Sequence, residues 1–377
     1  MIKLKGMTWD HSRGYDPMIA TSIRFSEKHN NEINIEWDKR PLQAFADRPI
    51  EEMTDDYDLI VIDYPHVGKV AAKGLLQNLD TPKYNNEIEL LKKQSVGSSH
   101  DSYFINGKQW ALAIDAASQV ACYRKDLFNE LPKNWKTLID LSKQRIVLWP
   151  LKPVHAISSF YSIYNNITDH IKPANREFIN IKYGVDTLQM MKVVSDELDS
   201  NCLEMDPIQV SELMSTQNNF HYCPYLYGFS NYARQNYKDH FLTYCNVLDL
   251  SGKGPFGTHL GGTGIAVSKV SKNIDLAIEY AHWIASSDCQ KDIFYKNGGQ
   301  PANAIAWEDK EINLDTNNFF TNTRLTLDLA WVRPRHNGYM DFQDHAGKLI
   351  NDYLKSSVKE EVVCKKLCEM YKESFKE

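Results

Sequence analysis

An acid set among small residues is the first place in this sequence where chemistry could reside. Residues 110–114 (WALAI) form a short apolar run suited to a buried strand, which stops at Asp115. After Ala116, Ala117 and Ser118, residues 120–123 (VACY) resume as a second strand. Strand, carboxylate, small residues and strand again suit a chain that crosses between two lobes and leaves an acid at the gap. Other candidates gather at strand ends. Trp9 ends a loosely alternating strand at 2–9 with Asp10, His11 and Arg13 just beyond it, and Asp63, Tyr64 and His66 follow the apolar run 57–62. A carboxylate at such an end can make charge-assisted hydrogen bonds to a polar ligand, and Arg13 can meet a ligand carboxylate. The plainer alternatives stay open: a helix cap for Asp63, a core position for Trp9, a solvated loop for His11 and Arg13. Gly261, Gly262 and Thr263 let the backbone approach a ligand closely or turn a tight hinge. Trp149, Tyr225 and Tyr227 offer aromatic faces for the apolar side of a ligand, with ordinary packing as the alternative.

The elements around these residues alternate between strand and helix. Segments 2–9, 33–37, 57–62, 110–114, 120–123 and 145–150 read as strands, and 220–229 as a bent or edge strand because of Pro224. Asp16 with Pro17 reads as a helix start running to about His29, with Met18, Ile19, Ile23 and Phe25 supporting it. Further helices are read at 67–75, from Lys125, after Pro132, at 155–164, at 184–198, and at 274–284 with an apolar face. The tail from Gly347 reads as one or two helices. The continuous apolar run 57–62 marks a central parallel strand covered on both faces. Ligands in such sheets sit beyond the carboxyl ends of the strands, which again nominates 9–15, 63–66 and Asp115.

Several function classes are excluded or weakened. A formal net charge of −6 without a basic block argues against nucleic acid. No apolar run approaches the roughly 20 residues that span a bilayer. Residues 252–257 formally match GxGxxG, but Pro255 and the Gly-rich sequel do not open a helix, and the phosphate-loop, nucleophile-elbow and zinc-protease motifs do not occur. Cys364 and Cys368 share a helix face without the further ligands that a metal needs. No cofactor, metal or catalytic residue is assigned. The first residues carry neither the apolar stretch nor the cleavage site of a signal peptide. Seven scattered cysteines suit a reducing compartment, so the sequence reads as cytoplasmic, or as periplasmic or extracellular if a leader was removed.

GKQWALAIDAASQVACYRKDLFNELPKNWKTL (107–138) resembles the crossover of bacterial extracellular solute-binding proteins of family 1. The resemblance extends to GLLQNLD (74–80), GGTGIAVSKVSKNIDLAIEYAHWIASSDCQ (261–290) and RPRHNGY (333–339). Ala113 departs from the family's usual Pro before the acid, a residue that stiffens the hinge. The resemblance implies an α/β fold of the two-lobed periplasmic-binding-protein type II, each lobe a mixed, mostly parallel sheet flanked by helices. It implies lobe 1 from 1–112 plus 263–315 and lobe 2 from 113–262 plus 316–377, with crossings near 112–116, 260–263 and 315. It also implies a monomer that captures a small polar solute, a carbohydrate or sugar acid, by hinge closure for an ABC-type importer and its permease subunits. Asp115 would face the ligand, and Arg333 and Arg335 would hold the C-terminal segment in place. The alternative is a cytoplasmic sensor, carrier or enzyme on the same fold, acting on a carboxylated small molecule.

Overall fold

The first strand, β1 (Ile2–Trp9), runs into α1 (Ser12–Lys28), and the chain returns as β2 (Ile33–Arg40), parallel to β1 in unbroken register from Ile2↔Ile33 to Trp9↔Arg40. The structure is a computed structural model and describes residues 1–41, 50–168 and 176–375. Helix α1 starts one turn before the predicted Asp16. His11 is extended, and its Nδ1 accepts the Arg13 N–H at 3.0 Å, so the end is capped upstream and Pro17 lies inside the helix. Met18 and Phe25 pack inward as predicted, whereas Ile23 is 58% exposed. β3 (Leu59–Ile62) pairs with β1 in parallel and all four of its residues are buried.

α2 (Val67–Lys73) ends at Gly74, whose φ of 62° is the left-handed cap that glycine supplies without strain. After α3 (Asn85–Lys93), a hairpin joins β4 (Phe104–Ile105) to β5 (Lys108–Gln109). Asn106 and Gly107 turn it with φ of 53° and 75°, the paired positive φ of a tight hairpin. The strand that follows, β6 (Leu112–Tyr123), is continuous where the sequence predicts two. Ala116 stays extended because Gln300 satisfies its backbone from the side: Ala116 N–H donates to Gln300 O (3.3 Å) and Gln300 Nε2 donates to Ala116 O (2.8 Å). Residues 125–127 form a turn rather than the helix read there, closed by the N–H groups of Leu127 and Phe128 donating to Arg124 O. The next helix, α4 (Trp135–Ser142), is capped by a reciprocal Asn134–Thr137 box. Segment 145–150 is not a strand. Arg145 sits in the left-handed region (φ 58°), and only Val147 forms a bridge, to Tyr222.

Helices α5 (Pro153–Ile167), α6 (Ile181–Ser195) and α7 (Pro207–Thr216) precede β7 (Tyr222–Tyr227) and β8 (Thr243–Cys245). β9 (Leu260–Val267) then runs antiparallel to β3 and covers its second side. α8 (Ile274–Ala285), α9 (Phe319–Asp328), α10 (Tyr339–Leu354) and α11 (Glu360–Glu373) complete the longer helices. The chain divides into two compact units, Met1–Ala116 with Gly261–Ile312, and Ala117–Leu260 with Asn313–Glu377. In the first unit the strands run β2-β1-β3-β9. In the second, β7 and β8 each pair antiparallel with the end of β6. None of the described helices is long and apolar enough to cross a membrane.

The cores hold neutral histidines. Burial pushes His100, 4% exposed, down to about 4 from an ordinary 6.5. The unfolded chain therefore takes up a proton that folded His100 refuses, so its contribution is complete above about 6.5 and is lost as the pH falls toward 4. At pH 5 the loss is about 2 kcal/mol for one such histidine. Urea unfolding at pH 7 and pH 5 should show the decline, and His100→Gln should have a shallower pH dependence by about one proton.

Candidate functional site

In the first unit the candidates converge on one ion pair. Arg13 Nε and Nη2 donate to Asp115 Oδ2 and Oδ1 at 2.7 and 2.6 Å, with both side chains 4% exposed. The sequence offers Arg13 as a solvated or ligand-facing side chain and Asp115 as a ligand-facing acid; the structure joins them bidentately instead. His11 caps α1 at the Arg13 backbone N–H. Trp9 is buried with its ring over Gly14 and stacked on His11 at 5.3 Å, so its contacts lie within the unit. Asp10 is exposed and accepts from Lys39 Nζ at 2.7 Å, a hydrogen bond that raises the lysine's pKa.

At the end of β3, Tyr64 and His66 are buried, and Tyr64 meets Tyr103 edge-on at 6.3 Å. Asp63 precedes the short turn Tyr64–His66 but makes no side-chain cap to it. Gly262 stands against Asp115. Its φ is 106°, and a Cβ there would lie 2.3 Å from Asp115 O. Gly261 is half-buried beside it and Thr263 is 8% exposed.

The second unit contributes an uncharged network. Trp149 Nε1 and Gln119 Nε2 both donate to Ser159 Oγ (2.9 and 3.1 Å), and Ser162 Oγ donates to Gln119 Oε1 (2.6 Å). Ser162 Oγ in turn accepts the His259 N–H at 3.1 Å. His259 Nδ1 lies 2.7 Å from Ser158 Oγ and 2.8 Å from Tyr227 Oη, and its Nε2 has no hydrogen-bond partner among the described residues. His155 packs edge-on to Tyr227 at 6.2 Å. Burial holds His155 down to about 4 and His259 well below the usual histidine value, with Arg333 adding to the latter. Both imidazoles are therefore neutral at pH 7. Trp149 and Tyr225 are fully buried, 5.8 Å apart, and serve packing; of the three aromatics nominated here, Tyr227 alone is partly exposed.

Sequence reasoning assigned no role to His259, Gln119, Ser158, Ser159 or Ser162. The available signal was the set of three serines inside α5, a helix otherwise dominated by apolar residues. Arg333 is 4% exposed and its Nη1 donates to Gln343 Oε1 on α10 at 2.9 Å. Among the described residues no three His, Cys, Asp or Glu side chains come together to hold a metal.

This architecture is that of two-lobed type II binding proteins, an α/β fold with mixed sheets and flanking helices. It matches maltose-bound MalE of T. maritima with a TM-score of 0.85 at 14% identity over 99% of each chain. An ABC transporter solute-binding protein from Agrobacterium radiobacter in complex with ribitol matches at 0.81, with 17% identity over 99% of each chain. One from Thermotoga lettingae bound with α-D-tagatose matches at 0.80, with 16% identity over 99% of this chain and 100% of that one. Residues 9–144 match the family model of bacterial extracellular solute-binding proteins.

Two substitutions test the first unit. Asp115→Ala strands a buried guanidinium and should cost about 3–5 kcal/mol, while the Arg13→Met, Asp115→Leu double variant should recover much of that loss in denaturant unfolding. Gly262→Ala forces a side chain into a left-handed backbone against Asp115 and should lower stability by about 2–3 kcal/mol, read as an earlier thermal midpoint.

Proposed function

We propose that this protein binds a small neutral carbohydrate or polyol, unchanged, as the substrate-binding component of an ABC-type importer, and that it acts as a monomer alongside permease subunits. The observation that carries the choice of a neutral solute is the Arg13–Asp115 pair. The acid nominated for ligand contact is already met by two guanidinium N–H groups, so it brings no uncompensated charge. On the second unit the neutral His155 and His259, the Tyr227 hydroxyl and the serines of α5 supply donors and acceptors that suit hydroxyl groups. Binding of this kind relies on a few oriented polar groups and an aromatic face, with Tyr227 as the aromatic. Asp10, His11, Asp63, His66 and the 261–263 backbone are the proposed contributions of the first unit. Fold relatives that hold maltose, ribitol and tagatose support the reading. The family's extracellular description supports a site of action outside the cytoplasm.

A thermal-shift panel of neutral sugars, polyols, sugar acids and organic acids is the direct test. A neutral ligand at about a hundred times its dissociation constant should stabilise by roughly 2.7 kcal/mol. Its affinity, measured by calorimetry, should be nearly unchanged from low to high salt, since screening acts on charged partners. Tyr227→Ala should abolish the response. A hit confined to carboxylated compounds, weakening with salt, would overturn the neutral-solute reading. Recovery of the ligand chemically altered would establish an enzyme on this fold.

A further inference from the structure

Two cysteines far apart in sequence face each other on β6 and β7. The antiparallel register begins Gln119↔Tyr227 and Val120↔Leu226, then shifts and continues Cys122↔Cys223 and Tyr123↔Tyr222. Across that shift one residue of β6, Ala121, stands against two of β7, Pro224 and Tyr225. Pro224 has no N–H for the ladder, and a bulge is where a strand accommodates it. Without the bulge Cys122 would oppose Pro224; with it, Cys122 opposes Cys223.

Directly opposed residues on an antiparallel pair project to the same face, with Cβ atoms about 4.5–5.5 Å apart. That is a short adjustment from the roughly 4 Å of a disulfide. The thiol on the neighbouring strand β8 is excluded by alternation. Cys245 on β8 opposes Ala121, the neighbour of Cys122, and so projects from the other face. In the reduced chain Cys122 Sγ lies 3.8 Å from Met214 Sδ, and both cysteines are fully buried.

We infer that Cys122 and Cys223 form a cross-strand disulfide when the chain folds in the presence of a small-molecule disulfide such as oxidised glutathione. One protein thiolate attacks the glutathione disulfide and expels a glutathione thiolate, forming a mixed disulfide. The second protein thiolate attacks the protein sulfur of that mixed disulfide and expels the other glutathione. Two protein S–H bonds become one S–S bond, and the two electrons reduce one glutathione disulfide to two thiols. Closure belongs to folding, before β7 is fully docked. In the finished fold burial raises the Cys223 thiol well above its ordinary value, with Cys122 beside it adding to the effect, and the pair is shielded from exchange. The bond would staple the end of β6 to its partner. It would also reconcile an extracellular address with an odd set of cysteines, since one pair is placed for oxidation and the others need only be shielded.

The test uses the full chain, refolded once in oxidised and reduced glutathione and once in dithiothreitol. Free thiols are blocked with N-ethylmaleimide and the protein is digested without reduction. Mass spectrometry of the oxidised sample should return one linked peptide pair joining Cys122 to Cys223, with the other cysteines alkylated. The oxidised chain should melt at a higher temperature than the reduced one. That difference should vanish in Cys223→Ala and persist in Cys245→Ser. Alkylation of both Cys122 and Cys223 in the oxidised monomer, or a bond from either to Cys202 or Cys245, overturns the inference.

Discussion

Removing two charges from water is repaid only when their geometry is good, and the Arg13–Asp115 pair meets that condition with two short, parallel hydrogen bonds. The rest of the first unit follows from it. The arginine stands in the first turn of α1, so that helix has to begin at Ser12, and His11 has to be extended and capping. The aspartate sits within β6, so the strand must remain extended through Ala116, where Gln300 completes its hydrogen bonds. Gly262 must lack a side chain because the aspartate's own carbonyl occupies the space. A single electrostatic contact thus fixes a helix start, a strand path and a glycine.

The second unit solves the same problem of burying polar groups without using charge. Its chain of Trp149, Ser159, Gln119, Ser162 and His259 passes hydrogen bonds between neutral partners, which carries a smaller desolvation cost than an ion pair. Serines on α5 are short enough to reach adjacent elements without disturbing the helix, and Gln119 of β6 and His259 are thereby tied to it.

Much of the architecture was readable from local patterns. The runs at 2–9, 33–37 and 57–62 and the helical faces at 184–198 and 274–284 carry their own periodicity, and the overall α/β class follows from their alternation. Features set by distant partners were not readable. The sequence divides β6 at Asp115 because small residues resemble a break, yet Gln300, far along the chain, holds them in a strand. Residues 145–150 look like a strand, but Arg145 adopts a left-handed turn that no apolar pattern records. The acid at 115 was visible and its partner was not, since nothing in a lone loop arginine names the carboxylate it meets. Trp149 and Tyr225 show the same limit: aromatic type is legible, and whether a ring faces solvent or a neighbouring ring is decided by packing.

The path of the chain also bears on how the protein is made. β3 is paired on one side by β1 and on the other by β9, a strand synthesised only after residues 63–259 have emerged. At ribosomal speeds of about 5–20 residues per second, that wait lasts roughly 10–40 s. Throughout it, the nascent chain carries Leu59, Ile60, Val61 and Ile62 with one ladder edge open, a template for pairing with the wrong strand. The first-made unit therefore waits for its closing strand until most of the second has been made, and a holdase on the emerging chain would have this edge as its natural target.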